Sequence, residues 1–242
     1  MSVTIRDQVA VVVGASSGIG RETAVLLARE GARVMASARR EHRLKELKDS
    51  LAAEGHPVDI FPADASQAAA MVELTNETRK RLGEIDIVVY ATGINTPDRA
   101  LTRLTTPIWD EMININLNGA FYITEAVLPA MRQRRSGHLI YVSSISGQAP
   151  DVSGAAYQAS KRGMLGLAHA VRMEERENGI RTCVVCPGLV DSELLRYRPA
   201  KPTPELLAKA LQPADVAEVI LAVAKLPPHA CVPELAVVPT RI

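Results

Sequence analysis

Short apolar runs rich in β-branched residues alternate with longer amphipathic stretches along this chain, and that alternation is the tightest constraint on its fold. Val9 to Val13 is five consecutive apolar residues, the pattern of a strand buried on both faces in a parallel sheet. Gly18 to Glu30 follows as a helix, with Val25, Leu26, Leu27 and Ala28 on its apolar side and Gly31 ending it. Further strands are expected at Arg33 to Ser37, Val58 to Phe61, Ile85 to Tyr90, Leu139 to Val142, Arg181 to Val185 and Leu235 to Val238. Glu41 to Glu54 is expected to be helical, because Leu44, Leu47 and Leu51 recur at helical spacing. Helices are also expected at Gln67 to Leu82, Pro107 to Arg132, Gly154 to Glu177 and Pro213 to Leu226. Such alternation predicts an α/β fold. The expected architecture is a doubly wound, mostly parallel seven-stranded sheet with helices on both faces, residues 1–242 forming one domain. Ligands of such sheets sit beyond the carboxyl ends of the strands, so chemistry is to be sought after each strand.

Composition narrows the function classes. Apolar residues are 47% of the 242, enough for a sizeable core. Twenty-eight basic and 27 acidic residues leave a formal charge of +1, which argues against nucleic acid or an anionic membrane as partner. No apolar run approaches the ~20 residues of a membrane span. The first strand is expected within about eight residues, which leaves no room for a signal peptide. The three cysteines include a C-V-V-C pair, Cys183 and Cys186. They lie in a strand-like run, where positions three apart face opposite ways, so a redox or zinc site is rejected and buried thiols are expected. An odd, low cysteine count fits a reducing compartment, and a cytoplasmic protein is expected. The five histidines show no metal-ligand spacing, and neither an HExxH motif nor a Gly-x-Ser-x-Gly elbow occurs, so no metal is expected.

After the first strand comes Gly14-Ala15-Ser16-Ser17-Gly18-Ile19-Gly20, then a helix. Gly14 permits a tight turn, while Gly18 and Gly20 leave the helix start uncovered by side chains. Its free amides and positive dipole end can receive a pyrophosphate. The spacing is Gly-x3-Gly-x-Gly, and here the chain resembles the short-chain dehydrogenase/reductase family, of Rossmann type, whose glycine motif has this form. The second strand ends at Ala38, followed by Arg39 and Arg40. No carboxylate stands there to repel a 2′-phosphate, and two cations can pair with it, so NADP(H) is the expected cofactor. The resemblance makes Arg39 the main phosphate contact and leaves Arg40 open. Asp64, followed by Ala65, matches the family acid that accepts from the adenine amino group; an N-cap for the next helix is the competing reading.

Tyr157 and Lys161 lie four apart, one turn along the same face of a helix. A cation within ~4–6 Å favours a phenolate, so the tyrosine's pKa is expected to fall and the pair to exchange protons near neutral pH. Ser144 lies thirteen residues before Tyr157, at a strand end; this is the family's Ser–Tyr–Lys arrangement at its usual spacing. The resemblance implies that Tyr157 is the general acid in reduction and the base in oxidation. It implies that Lys161 lowers the pKa of Tyr157 and binds the nicotinamide ribose, and that Ser144 bonds the substrate oxygen. Ser143 is the competing serine. Asn116 matches the asparagine holding a water that links Lys161 to solvent, with Asn114 and Asn118 as alternatives; three asparagines in five residues also invite a disrupted helix. The resemblance further implies that Pro187 and Gly188 bend the backbone against the nicotinamide, that Val190 contacts its carboxamide and that Ser192 assists. The chain departs from the family after the fourth strand, where Tyr90-Ala91-Thr92-Gly93 stands in place of Asn-Asn-Ala-Gly. Gly93 keeps the close approach, and altered packing near the adenosine is expected.

Residues 189–212, with Pro199, Pro202 and Pro204, read as a segment covering a small carbonyl or alcohol substrate. Arg196 or Arg198 either pairs a substrate carboxylate or is solvated. The C-terminal stretch from Leu226 is similar to a family branch that includes NADP-dependent 3-hydroxy acid and serine dehydrogenases. The Tyr157 helix is apolar nearly all round, so a partner subunit is expected to cover one side, giving a dimer or tetramer. Two rival functions share this fold: an NADP(H)-binding regulatory protein without turnover, and an isomerase, epimerase or dehydratase returning the cofactor unchanged.

Overall fold

The computed structural model describes residues 4–241. Seven strands form one sheet: β1 (Val9–Val13), β2 (Arg33–Ala38), β3 (Asp59–Pro62), β4 (Ile85–Tyr90), β5 (Gly137–Val142), β6 (Ile180–Pro187) and β7 (Glu234–Val237). Their order is β3-β2-β1-β4-β5-β6-β7, and every neighbouring pair is parallel. The sheet is therefore wholly parallel rather than mostly so. The winding reverses between β1 and β4, which is where such sheets open a crevice for ligands.

Among the described residues there are eight α-helices: α1 (Gly18–Arg29), α2 (Glu41–Ala53), α3 (Ala68–Leu82), α4 (Thr106–Ile113), α5 (Gly119–Arg134), α6 (Ala155–Glu175), α7 (Pro204–Leu207) and α8 (Pro213–Ala224), of which α1, α2 and α8 cover one face and α3, α5 and α6 the other. Strand side chains alternate between the faces. Ala10 and Val12 of β1 pack with Leu27, Leu44 and Ile220 from α1, α2 and α8. Val9, Val11 and Val13 pack with Leu74, Val127 and Met164 from α3, α5 and α6. Cys183 and Cys186 belong to opposite faces by the same alternation, each fully buried, and all three thiols are free.

The expected single helix from Pro107 to Arg132 is interrupted. Asn114–Asn118 forms a π-helical turn between α4 and α5, in which the Gly119 amide donates to the Asn114 carbonyl. Tyr90 explains the local departure from the family pattern: it is fully buried at the end of β4, and its hydroxyl donates to the Ile115 carbonyl of that turn. The covering segment also holds structure the sequence did not announce, a 3-10 turn at Glu193–Tyr197 and α7. Its two ends are pinned together by a bridge between Val190 and Leu211. Among the described residues, no helix is long and apolar enough to cross a membrane.

Candidate active site

A cavity of about 590 Å³ opens beyond the carboxyl ends of the strands. Its floor is the turn from β1 into α1. Gly14 has φ +99°, and a Cβ there would lie 2.8 Å from the Ala91 carbonyl carbon. Gly18 has φ +56°, and a Cβ there would meet only Ser192 Cβ at 3.7 Å, so this glycine keeps the helix start open. Gly20 acts differently from the sequence expectation. It is buried, and a Cβ would come within 2.3 Å of the Gly14 carbonyl oxygen, so its bareness serves the packing of α1 onto the turn rather than access for a ligand. The α1 N-cap, Ser17, makes no side-chain cap bond, leaving the first-turn amides facing the cavity with the positive end of the helix dipole. This cradle fits a dinucleotide pyrophosphate.

Two arginines follow β2, and they differ in what they touch. Arg39 lines the cavity but makes no side-chain hydrogen bond among the described residues. Arg40 reaches the turn: its Nε and Nη2 donate to Ser16 Oγ at 3.2 and 3.0 Å, and Nη2 donates to Ser17 Oγ at 2.7 Å. Its Nη1 donates to Glu193 Oε2 at 2.8 Å, which ties the covering segment to the turn. The Arg40 guanidinium holds the Glu193 carboxyl below the usual carboxylate range. The corner thus has the cations to receive a 2′-phosphate. Asp64, Ala65 and Ile19 line the same cavity. It is not an N-cap, for α3 is capped by Gln67; its Oδ1 accepts instead from the Ser66 amide and hydroxyl at 2.9 and 2.8 Å.

At the other end of the cavity stand Tyr157, Lys161, Ser143 and Ser144. Lys161 Nζ lies 5.7 Å from the Tyr157 ring centre and donates to the Val142 carbonyl at 3.0 Å. The expected fall of the tyrosine pKa is not what the structure gives. Burial pushes Tyr157 up to about 12, with the Ser144 hydroxyl pulling against it. Burial pushes Lys161 down to about 8. The site in this state therefore holds a neutral phenol beside an ammonium that gives up its proton just above neutrality.

The two serines separate cleanly. Ser143 Oγ is spent on the Lys161 carbonyl at 2.9 Å, fastening β5 to α6, whereas Ser144 Oγ acts on Tyr157 and bonds Ser146 Oγ at 3.2 Å. Asn116 lies behind the cavity wall, fully buried. Its Oδ1 accepts from the Ile94 amide at 2.8 Å, and its Nδ2 donates to the Ile94 carbonyl at 3.0 Å and to Ser160 Oγ at 3.1 Å. Asn114 and Asn118 turn elsewhere, Asn114 to the Ser66 carbonyl and Asn118 to Asn114. Gly93 makes room between these groups, since a Cβ would lie 3.2 Å from Lys161 Nζ and 3.6 Å from Asn116 Oδ1. Pro187, Gly188, Val190 and Ser192 complete the near wall, where the Gly188 amide donates to the Val237 carbonyl at 2.8 Å.

Sequence reading missed Arg99 and Asp151, and placed Glu193 and Leu194 only as members of the 189–212 segment; all four line the same cavity. Leu194 packs with Met112 and Tyr157. Arg99 and Asp151 sit in no motif and arrive by the folding of loops, so no signal in the sequence pointed to them.

A family model described as short chain dehydrogenase matches residues 8–203. An uncharacterised oxidoreductase of Staphylococcus aureus is 33% identical over 236 residues, covering 97% of this chain and 98% of that protein. Among solved structures, an alcohol dehydrogenase of the archaeon Thermococcus sibiricus complexed with 5-hydroxy-NADP superposes with a TM-score of 0.85 at 28% identity, covering 95% of both chains. The closed form of a serine dehydrogenase complexed with NADP+ superposes with a TM-score of 0.87 at 30% identity, covering 95% of this chain and 94% of the other.

Proposed function

The chain belongs to the short chain dehydrogenase family of oxidoreductases, and on that premise we propose that it moves a hydride between NADP(H) and a small carbonyl or alcohol substrate. The observation that carries this reading is one cavity lined at one end by the glycine turn and Arg40 and at the other by Ser144, Tyr157 and Lys161. The NADP complexes of the archaeal alcohol dehydrogenase and the serine dehydrogenase support the cofactor.

When bound, NADP(H) supplies the hydride to a carbonyl carbon or accepts it from an alcohol carbon. In reduction the Tyr157 hydroxyl gives its proton to the carbonyl oxygen, and the overall balance is carbonyl plus NADPH plus a proton to alcohol plus NADP+. Ser144 donates a hydrogen bond to that oxygen and stabilises the charge gathering on it. The Lys161 ammonium favours the phenolate left on Tyr157. Asn116 fixes the Ile94 backbone, and Asp64 would accept from the adenine amino group of the bound cofactor.

A panel of carbonyls and alcohols followed at the NADPH absorbance band tests the proposal. Tyr157→Phe is expected to lower the rate on any active substrate by about 10²–10⁴-fold. Tyr157 stays protonated throughout the working range because burial holds it near 12, so the reduction rate is set by Lys161. It should be level at low pH and decline as pH rises through about 8, where Lys161 loses its charge. Binding of NADPH with no turnover of any member would leave a regulatory, non-catalytic protein. A homo-oligomer, dimer or tetramer, belongs to the same proposal. Phe121 on α5 and Met173 on α6 are 46% and 50% exposed, apolar surface that a second copy would cover. Light scattering is expected to give a multiple of 26.1 kDa, and a monomer mass would remove this part. The three free thiols suit a cytoplasmic setting.

A further inference from the structure

Arg99 lies on the loop between β4 and α4, and Arg198 lies at the end of the 3-10 turn in the covering segment. Both line the cavity that holds Tyr157 and Ser144, and both also line the more open recess beside it, so they stand at the boundary between the two. Both are half-buried, and neither has a salt bridge or a side-chain hydrogen bond among the described residues. Their charges feel each other: burial, and next the Arg198 guanidinium, hold Arg99 below the usual guanidinium range. An opposite charge, Asp151, acts on Arg99 more weakly than Arg198 does, and it is already engaged. Its Oδ2 accepts from the Ser146 and Ser153 hydroxyls at 2.5 and 3.0 Å, and its Oδ1 from the Ser153 amide at 2.8 Å. The Arg99 backbone is also held in place. Gly154, at φ +94°, packs so closely that a Cβ on it would lie 2.6 Å from Arg99 Cβ.

Two partly buried guanidinium groups on one wall, beside a carboxylate already bonded to serines, favour an anion between them. Each presents a planar fork that matches the oxygens of a carboxylate or phosphate. From this we infer that Arg99 and Arg198 form an oxyanion subsite for the substrate. Resting on the hydride-transfer reading above, the inference narrows the substrate to a carbonyl or alcohol compound that also carries a carboxylate or phosphate. Because Arg198 sits on the covering segment and Arg99 on the opposite loop, an anion bridging them also draws the segment over Tyr157.

Two matched pairs of ketones test the subsite and distinguish the two anions: acetoacetate against methyl acetoacetate, and dihydroxyacetone phosphate against dihydroxyacetone. The charged member of at least one pair is expected to be preferred about 10–100-fold in kcat/KM. Arg99→Gln and Arg198→Gln, singly and together, should bring that ratio towards one, with Arg99→Lys retaining part of it. Calorimetric affinity for NADPH, read on each variant, reports whether the protein remains folded. Equal use of charged and neutral members in both pairs, or an undiminished ratio in the folded double variant, overturns the inference. Should no ketone turn over, hydride transfer is what fails. The subsite is then judged by saturation-transfer NMR of butyrate and of methyl phosphate against the NADP+-loaded protein. Binding lost in the double variant upholds it; no binding, or equal binding, overturns it.

Discussion

Arg40 shows how one side chain couples two parts of the site. Its guanidinium bridges the hydroxyls of Ser16 and Ser17 and pairs with Glu193, and Arg43 Nη2 approaches the same carboxylate at 3.8 Å. A 2′-phosphate arriving at this corner competes with Glu193 for the same guanidinium. Arg40→Ala should therefore weaken NADPH binding by about 10–100-fold, the range of a charge-assisted hydrogen bond, and weaken NADH far less. Arg39→Ala should have the smaller effect of the two. Glu193→Gln should tighten NADPH by up to about fivefold, since a partly exposed ion pair is worth at most ~1 kcal/mol. Fluorescence titration of both nucleotides decides the matter, and a larger NADPH loss in Arg39→Ala than in Arg40→Ala would refute this assignment. The sequence placed a cationic pair at the end of β2 but not their order. Successive residues there point different ways, and the φ −85°, ψ 85° of Arg40 that turns it towards the serines is a property of the folded turn.

The π-turn between α4 and α5 is an element whose cause lies outside itself. Three asparagines signalled trouble for a helix, and the structure resolves it with one residue too many in a turn, which frees a carbonyl. The Tyr90 hydroxyl from β4 accepts the task of pairing it. Burial pushes the Tyr90 phenol far above its usual range, so it remains a donor at any working pH. A sequence pattern could not foretell this, because the partner that stabilises the turn lies on a strand more than twenty residues away. Tyr90→Phe should cost about 1–3 kcal/mol, the penalty for a buried carbonyl left unpaired. Gly119→Ala should cost at least as much, because a Cβ would lie 2.2 Å from the Tyr90 hydroxyl and 2.6 Å from the Ala65 carbonyl oxygen. Removing the hydroxyl relieves the first of those clashes, so the double variant should lose less than the sum of the singles. Denaturant unfolding of the three variants gives the result, and strict additivity would mean the two residues do not share this contact.

For the whole molecule, the parallel sheet was readable because its central strands are short apolar runs and the crossovers between them are helices with one apolar side. Element limits shifted by a residue or two, as β3 and β7 show. The loops that bring Arg99 and Asp151 to one cavity were not readable, since their placement depends on contacts between distant segments. One such contact holds the helix that carries Tyr157 and Lys161. Glu175, at the far end of α6, is almost fully buried, and Arg132 of α5 donates to both of its oxygens through Nε at 3.0 Å. Asn178 adds a bond at 2.8 Å. The Arg132 guanidinium holds the Glu175 carboxyl below the usual carboxylate range. A carboxylate whose folded-state pKa is depressed contributes stability above its unfolded value, ~4.3 for glutamate, and that contribution fades as pH falls through the folded value. Arg132→Met should thus destabilise the protein at pH 7 by about 1–2 kcal/mol, at the low end for a charged hydrogen bond because Arg132 is half open to water. The gap between wild type and variant should narrow as pH falls from the unfolded value through the lowered folded value of Glu175, where its carboxyl becomes neutral. Denaturant midpoints at pH 7 and pH 3.5 measure it. A gap that holds constant across that interval would mean that Arg132 acts through packing of its aliphatic stem and not through its charge.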